Sequence, residues 1–488
     1  MKKKILRLEK LSRPLEPTAN ERKSARRKVI NYSEKFLREI ETSKAYQVTR
    51  DEGKALLGSP IHETPARLDK IMGLLRDNVD FPGLNPASGG HLGYIPGGGL
   101  YYSALGDYLA AVFNRYAGAF SVGPGAVRME NMLIRWMAKV VGFPRTAVGN
   151  LTTGGSLANL MAVVTARDAM KISSANVKCT VIYLSRQAHH SVDKAIRIAG
   201  LHECIKRYIP LDAGYRLSAP ALEKQIAEDE RRRLNPFLVV ATAGTTDVGA
   251  IDPLEDIGVI CRKNKLWYHV DAAYGGFFML TKEGKQKLRG IERADSLVID
   301  PHKGLFLPYG LGVILVKDKQ ALNAAHYYQA NYMQDTKTVS DEPSPSDLSP
   351  ELTKHFRGLR LWLPLKLHGV KPFRACLEEK LLLAKYFYQE IAKLGFEVGV
   401  QPELSVVTYR YVPAKIARNS KKVNEFNKEL LEEIVNDGHI FISSTLLEGR
   451  YMLRFACLAF RTHLRTVDTF LKILRVKTHA LEQAKGYL

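Results

Sequence analysis

The middle third of the chain alternates two hydrophobic rhythms. Short apolar, β-branched runs, "KCTVIYLS", "PFLVVATAG", "LWYHVDA", "DSLVID" and "GVILVKD", read as strands. Between them lie stretches with apolar residues at helical spacing, "SLANLMAVVTARDAM", "SVDKAIRIAG" and "PLEDIGVICRKN". Strands that are apolar along their whole length and alternate with helices predict an α/β fold. Its mostly parallel sheet is covered on both faces. Upstream, residues 1 to about 60 read as charged helix, and "FPGLNPASGGHLGYIPGGGLYYS" is too rich in glycine and proline for regular structure. A helical pattern resumes near residue 104 and runs through "MENMLIRWMAKVVGFP". Downstream, "NYMQDTKTVSDEPSPSDLSPE" reads as a long loop and a long helix is expected from "LRLWLPLKLHGV". "LSVVTYRYV" and "RYMLRFACLAF" suggest a smaller C-terminal domain. The expected division is a helical segment over 1–100, a large α/β domain over 101–372 and a small domain over 373–488.

Composition changes this picture little. At 488 residues, 45% hydrophobic and 25% charged, the chain has ample material for a large core. It contains no uncharged apolar run long enough to span a membrane. Charge interrupts "MKKKILRLEKLSRP" before a signal peptide could form, so a cytoplasmic protein is expected. Five scattered cysteines with no metal-ligand spacing predict reduced thiols and no metal site. The net charge of +22 is spread over short clusters such as "ERKSARRK" and "ERRRLN", with no nucleic-acid-binding motif. Solvated surface charge accounts for it.

Chemistry concentrates where the strands end. In open parallel sheets, ligands bind beyond the carboxyl ends of the strands. There the sequence places His189, Thr246, Asp271 and Lys303. Each singly could be an ordinary turn residue or a solvated end-cap. A fifth element, "TTGGS" at 152–156, opens a helix whose free N–H groups attract an anion, with Ser156 as an expected cap. Pyridoxal phosphate uses all five: a lysine for the Schiff base, an anion site for its phosphate and a carboxylate for its pyridine nitrogen. His189 could lie on the ring and Thr246 could hydrogen-bond nearby.

"TTGGSLANLMAVVTARD", "QAHHSVDKA", "ATAGTTDVGAIDPL", "HVDAAYGG" and "DPHKGLFLPYGLG" together resemble the group II pyridoxal-phosphate-dependent amino-acid decarboxylases. The resemblance covers about residues 85–375. It implies a fold type I enzyme: a homodimer with active sites at the subunit interface and an N-terminal segment wrapping the partner. Carried over by position, it makes Lys303 the Schiff-base lysine, Asp271 the partner of the ring nitrogen and His189 the stacking residue. Gly155, Ser156, Thr246, His302 and Ala273 become further cofactor contacts. Within a mobile loop at about 327–350, Tyr332 of "QANYMQDTK" matches the tyrosine that returns a proton to the α-carbon, with Tyr327 and Tyr328 close enough to leave the register open.

The resemblance further implies an L-amino-acid substrate, aromatic from Tyr94 and Ile95, with Tyr94, Pro96 and Arg357 on the substrate side. Gly304 departs from the family, in which many members carry an aromatic residue after the lysine. Alternatives are a glutamate- or aspartate-type decarboxylase, or an aromatic aldehyde synthase on the same scaffold. From a different class comes a catalytically silent, basic, anion-binding dimer.

Overall fold

A strand with no polar side to turn toward water is stable only between two apolar layers. The computed structural model, which describes residues 1–328 and 342–488, places the apolar runs in that position. After a short antiparallel pair, β1 (Tyr46–Gln47) and β2 (Gly83–Leu84), come β3 (Val148–Thr152), β4 (Thr180–Leu184) and β5 (Ile205–Tyr208). These are followed by β6 (Asn235–Thr242), β7 (Trp267–Asp271), β8 (Ser296–Ile299) and β9 (Gly312–Val316). β3 to β9 form one seven-stranded sheet in the order β3-β9-β8-β7-β6-β4-β5. Its neighbours from β8 to β5 are parallel, and only β9 runs against those beside it. Alternate residues of each strand enter opposite layers: Val181, Val239 and Val270 join one apolar core, and Ile182, Val240 and Val298 the other. The α/β fold, covered on both faces, is as expected.

Two of these strands escape a reading by hydrophobicity. β5 is an edge strand whose Lys206 and Tyr208 face solvent. β3 carries Gly149 and Asn150. Its buried amide is satisfied from outside the sheet, since Asn150 donates to the Pro345 carbonyl at 2.7 Å and accepts from Lys354 at 2.8 Å. The single long helix expected near Leu359 is two helices, Gly358–His368 and Lys371–Lys393. Gly369 breaks them apart with a φ of +66°. Residue 372 therefore falls inside the second helix.

The C-terminal part builds an antiparallel sheet from β10 (Glu397–Val398), β11 (Val406–Arg410), β12 (Ser443–Leu447) and β13 (Arg450–Ala456), ordered β10-β11-β13-β12. Helices Lys371–Lys393, Ser420–Asp437 and Leu464–Lys485 pack with it. The rings of Phe387 and Phe455 stack at 4.1 Å in its core. At the N-terminus, helices Lys2–Ser12 and Ala19–Glu39 bury no residue, and helix does not continue to residue 60. No helix among the described residues is long and apolar enough to cross a membrane.

The glycine-rich stretch after β2 has a packing reason. It threads between the C-terminal sheet and the turn that carries Lys303. Leu92 donates from its N–H to the Phe441 carbonyl at 2.8 Å, and Leu100 to the Phe306 carbonyl at 3.0 Å. A Cβ on Gly90 would sit 2.2 Å from the His439 carbonyl oxygen, and one on Gly97 would sit 2.0 Å from that of His302. Gly97→Ala is thus expected to push the His302 backbone away at a cost of about 1–3 kcal/mol, as overpacking generally does. Thermal unfolding checks it: a lower melting temperature is expected, and one equal to wild type would refute the close contact.

Candidate active site

Four parallel strands stop at one edge, and the turns after them close a cavity of about 460 Å³. β8 ends at Ile299, and proline at the first position of the short helix Pro301–Gly304 sets the next turn, so the apolar run gives way at once to Pro-His-Lys. That turn carries Lys303 into the cavity, where its Nζ lies 3.3 Å from the buried Asp300 Oδ2. Burial raises the Asp300 carboxyl above the ordinary aspartate range, against the pull of Lys303 and His302. His302 also lines the cavity, its Nδ1–H donating to the Leu311 carbonyl at 2.6 Å.

Asp271 ends β7. Its Oδ2 accepts from Asn159 Nδ2 at 2.9 Å and its Oδ1 from the Ala273 N–H at 3.1 Å. His189 precedes the helix His190–Ile198. Its Nδ1 lies 2.8 Å from Ser191 Oγ and accepts from the Ser191 N–H at 3.3 Å. Burial pushes the His189 ring below the ordinary histidine value, with Asp271 acting against it. Thr246 lines the cavity, and its carbonyl and that of Asp247 accept from the Arg454 guanidinium, reaching across from β13.

On the opposite wall begins the helix Gly155–Ala169. Gly154 precedes it with a φ of +154°, and no side chain caps it. Ser156 is therefore the second helical residue and not the cap. A Cβ on Gly155 would come within 2.9 Å of Asp300 Oδ2, so the helix start meets the lysine turn without side-chain bulk between them. An uncapped helix end, an amine and a buried carboxylate around one cavity suit an anionic, aldehyde-bearing aromatic cofactor with a basic ring nitrogen. The residues present fit pyridoxal phosphate.

Of the expected site residues, the cavity brings together Gly155, Ser156, His189, Thr246, Asp271, Ala273, His302 and Lys303. Tyr94, Pro96 and Arg357 do not line it. Tyr94 is 58% exposed beside Phe441, with a φ of +52°. Pro96 is buried. Arg357 is buried with its guanidinium on Glu351 at 2.8 and 2.9 Å. Tyr332 lies outside the described residues. Gly304 gains a reason: a Cβ there would meet Phe277 Cβ at 2.7 Å, so a neighbouring aromatic already fills that space. Asn159, Ser191, Asp300 and Arg454 escaped the sequence reading. Asn159 alone left a trace, as an amide on an otherwise apolar helix face with Ala158, Met161 and Ala162.

Comparison with known proteins agrees with this geometry. The pyridoxal-dependent decarboxylase conserved domain matches residues 52–412. An aromatic-L-amino-acid decarboxylase of Bacillus atrophaeus is 36% identical over 81% of this chain and 82% of its own. A phenylacetaldehyde synthase of Petunia hybrida is 30% identical over 86% of this chain and 85% of its own. The solved structure of Oryza sativa TDC with PLP and tryptamine superposes with a TM-score of 0.89 at 25% identity, covering 96% of this chain and 99% of that one. This chain belongs to the pyridoxal-dependent decarboxylase family.

Proposed function

We propose that the protein removes the α-carboxyl group of an aromatic L-amino acid, releasing the amine and carbon dioxide, at the cavity between Lys303 and Asp271. The observation that carries this reading is the meeting of that amine and that buried carboxylate beside an uncapped helix start. The aromatic substrate class is supported by the Bacillus atrophaeus relative and by Tyr94 and Ile95 in the glycine-rich stretch.

Pyridoxal phosphate, when bound, supplies an electron sink for the pair left on the α-carbon. The chain's own groups do the rest. The N–H groups at Gly155 and Ser156 would hold the cofactor's phosphate, with the positive end of the helix dipole behind them. Asp271, its two oxygens fixed by Asn159 and Ala273, would keep the ring nitrogen protonated. His189, whose charged form burial disfavours, would pack against the ring. Lys303 provides the amine that anchors the cofactor, with Asp300 as the charge partner of its ammonium form. His302 is fixed beside it by the Leu311 carbonyl. Tyr332 is assigned the return of the proton to the α-carbon from its match in the loop sequence.

The working unit is a homodimer, with residues 1–100 wrapping the partner, 101–372 binding the cofactor and 373–488 forming the small domain. Exposed Ile5, Leu8 and Leu11 on the first helix, and Tyr101, Tyr108 and Val112 on the helix Tyr101–Phe113, support it as apolar surface that a second copy would cover. Tyr94, outside the cavity in one chain, would then serve across the interface. Five free cysteines suit a reducing, cytoplasmic setting. Light scattering is expected to return twice the 54.7 kDa chain mass; the mass of one chain would reject the dimer.

The deciding experiment incubates the protein and pyridoxal phosphate with L-tryptophan, tyrosine, phenylalanine, histidine, glutamate and aspartate, and measures carbon dioxide and organic product by mass spectrometry. An aromatic amine with equimolar carbon dioxide is expected, and Lys303→Ala is expected to abolish both turnover and the visible absorbance gained with the cofactor. Turnover of glutamate or aspartate alone would discard the aromatic substrate. An aldehyde with carbon dioxide, ammonia and peroxide, formed as dissolved oxygen is consumed, would replace simple decarboxylation by oxidative aldehyde synthesis. Visible absorbance retained in Lys303→Ala would remove that lysine from its role.

A further inference from the structure

Behind the cavity runs a chain of hydrogen bonds whose direction can be worked out atom by atom. It starts at Trp267, whose indole N–H can only donate, and does so to Ser296 Oγ at 2.9 Å. Ser296 Oγ also lies 2.9 Å from His269 Nδ1, and the direction of that contact follows from the other end of the hydrogen-bond chain. His269 is fully enclosed, and burial pushes its ring down to about 4, so it is neutral. The Asp271 carboxylate can only accept, which turns Asn159 Nδ2 toward it and the amide oxygen toward His269. The ring proton therefore sits on Nε2, and Ser296 donates to Nδ1. Nε2 lies 2.9 Å from Asn159 Oδ1 and donates to it. The amide of Asn159 therefore has one sense: oxygen to the rear, Nδ2 to the front. From Nδ2 one N–H reaches Asp271 Oδ2 at 2.9 Å and the other Ser191 Oγ at 3.0 Å. Ser191 passes its own proton to His189 Nδ1 at 2.8 Å, which leaves His189 with its proton on Nε2.

The opposite sense fails. Turned around, Asn159 would set a carbonyl oxygen against the Asp271 carboxylate and its N–H groups against the His269 N–H. Asn159 and His269 are each 1% exposed and Ser296 is 0% exposed, so water cannot repair the mismatch.

We propose that Asn159 is a positioning residue that locks the Asp271 carboxylate and the His189 ring into one arrangement, its amide oxygen held from behind by His269. The inference rests on the reading of Asp271 and His189 as cofactor residues. It goes further by making both answer to one amide. The hydrogen bonds that order both groups lie within the chain itself, which lowers what cofactor binding must spend on ordering them.

The near-isosteric Asn159→Asp tests it, because it keeps the shape and replaces the donor by an acceptor. Apoprotein is titrated with pyridoxal phosphate, reading the dissociation constant and the absorbance spectrum at pH 8 and pH 6. At pH 8 the variant is expected to bind the cofactor about tenfold or more weakly, the scale of a hydrogen bond to a charged group exchanged for repulsion. The defect is expected to shrink at pH 6, since protonating the introduced carboxyl restores one donor toward Asp271. The groups facing that position are Asp271 and His269 on β7, His189 and Ser191 at the next helix start, and Asp300 and Lys303 across the cavity. His269→Phe, which leaves Asn159 intact but removes the N–H that its amide oxygen accepts from, is expected to weaken binding in the same direction; it decides the matter should Asn159→Asp fail to fold. Cofactor affinity and spectra within twofold of wild type at both pH values would overturn the proposal. A wild-type protein that itself binds no pyridoxal phosphate would instead remove the underlying functional reading.

Discussion

The architecture depends on one close approach of backbone to backbone. Where β3 leaves the sheet, its antiparallel neighbour β9 enters it, and a Cβ on Gly312 would lie 2.4 Å from the Gly154 carbonyl carbon and 2.7 Å from Asp300 Oδ1. Only hydrogen fits there. The contact brings the first turn of the helix Gly155–Ala169 against the end of β8, and so sets the anion end of the cavity at a fixed distance from Lys303. Parallel strands deliver the remaining groups, because β4, β6, β7 and β8 finish on the same side of the sheet.

Much of this was legible in the sequence. Strands apolar on both faces, such as those at Asp271 and Lys303, announce themselves because nothing in them can face water. β3 and β5 do not, for opposite reasons. β5 lies at an edge and keeps its charges in solvent, whereas β3 buries an asparagine whose partners, Pro345 and Lys354, are some two hundred residues away. A break such as Gly369 is equally local to the backbone. Helical spacing on either side of it continues unbroken, so periodicity reads one helix where the chain makes two.

The cavity shows the same division. Residues that follow strands can be placed by counting, and eight of the expected ones do meet there. Asn159 sits one turn into a helix, and its significance comes from His269 and Asp271 on a strand more than a hundred residues later. Gly304 shows the converse: it looks like a missing aromatic until Phe277, from another turn, is found occupying the volume. Spacing along a chain cannot report which distant side chain fills a gap.

Arg454 carries a last consequence. The decarboxylase domain match closes at residue 412, yet the carbonyls of Thr246 and Asp247 are held by a guanidinium from β13, well past that limit. Sequence kinship and mechanical completeness have different borders here. A fragment trimmed to the conserved span would keep the lysine, the carboxylate and the helix start, but lose the brace that keeps the Thr246 turn against them. For this fold, the part that holds the site together is larger than the part that inheritance makes recognisable.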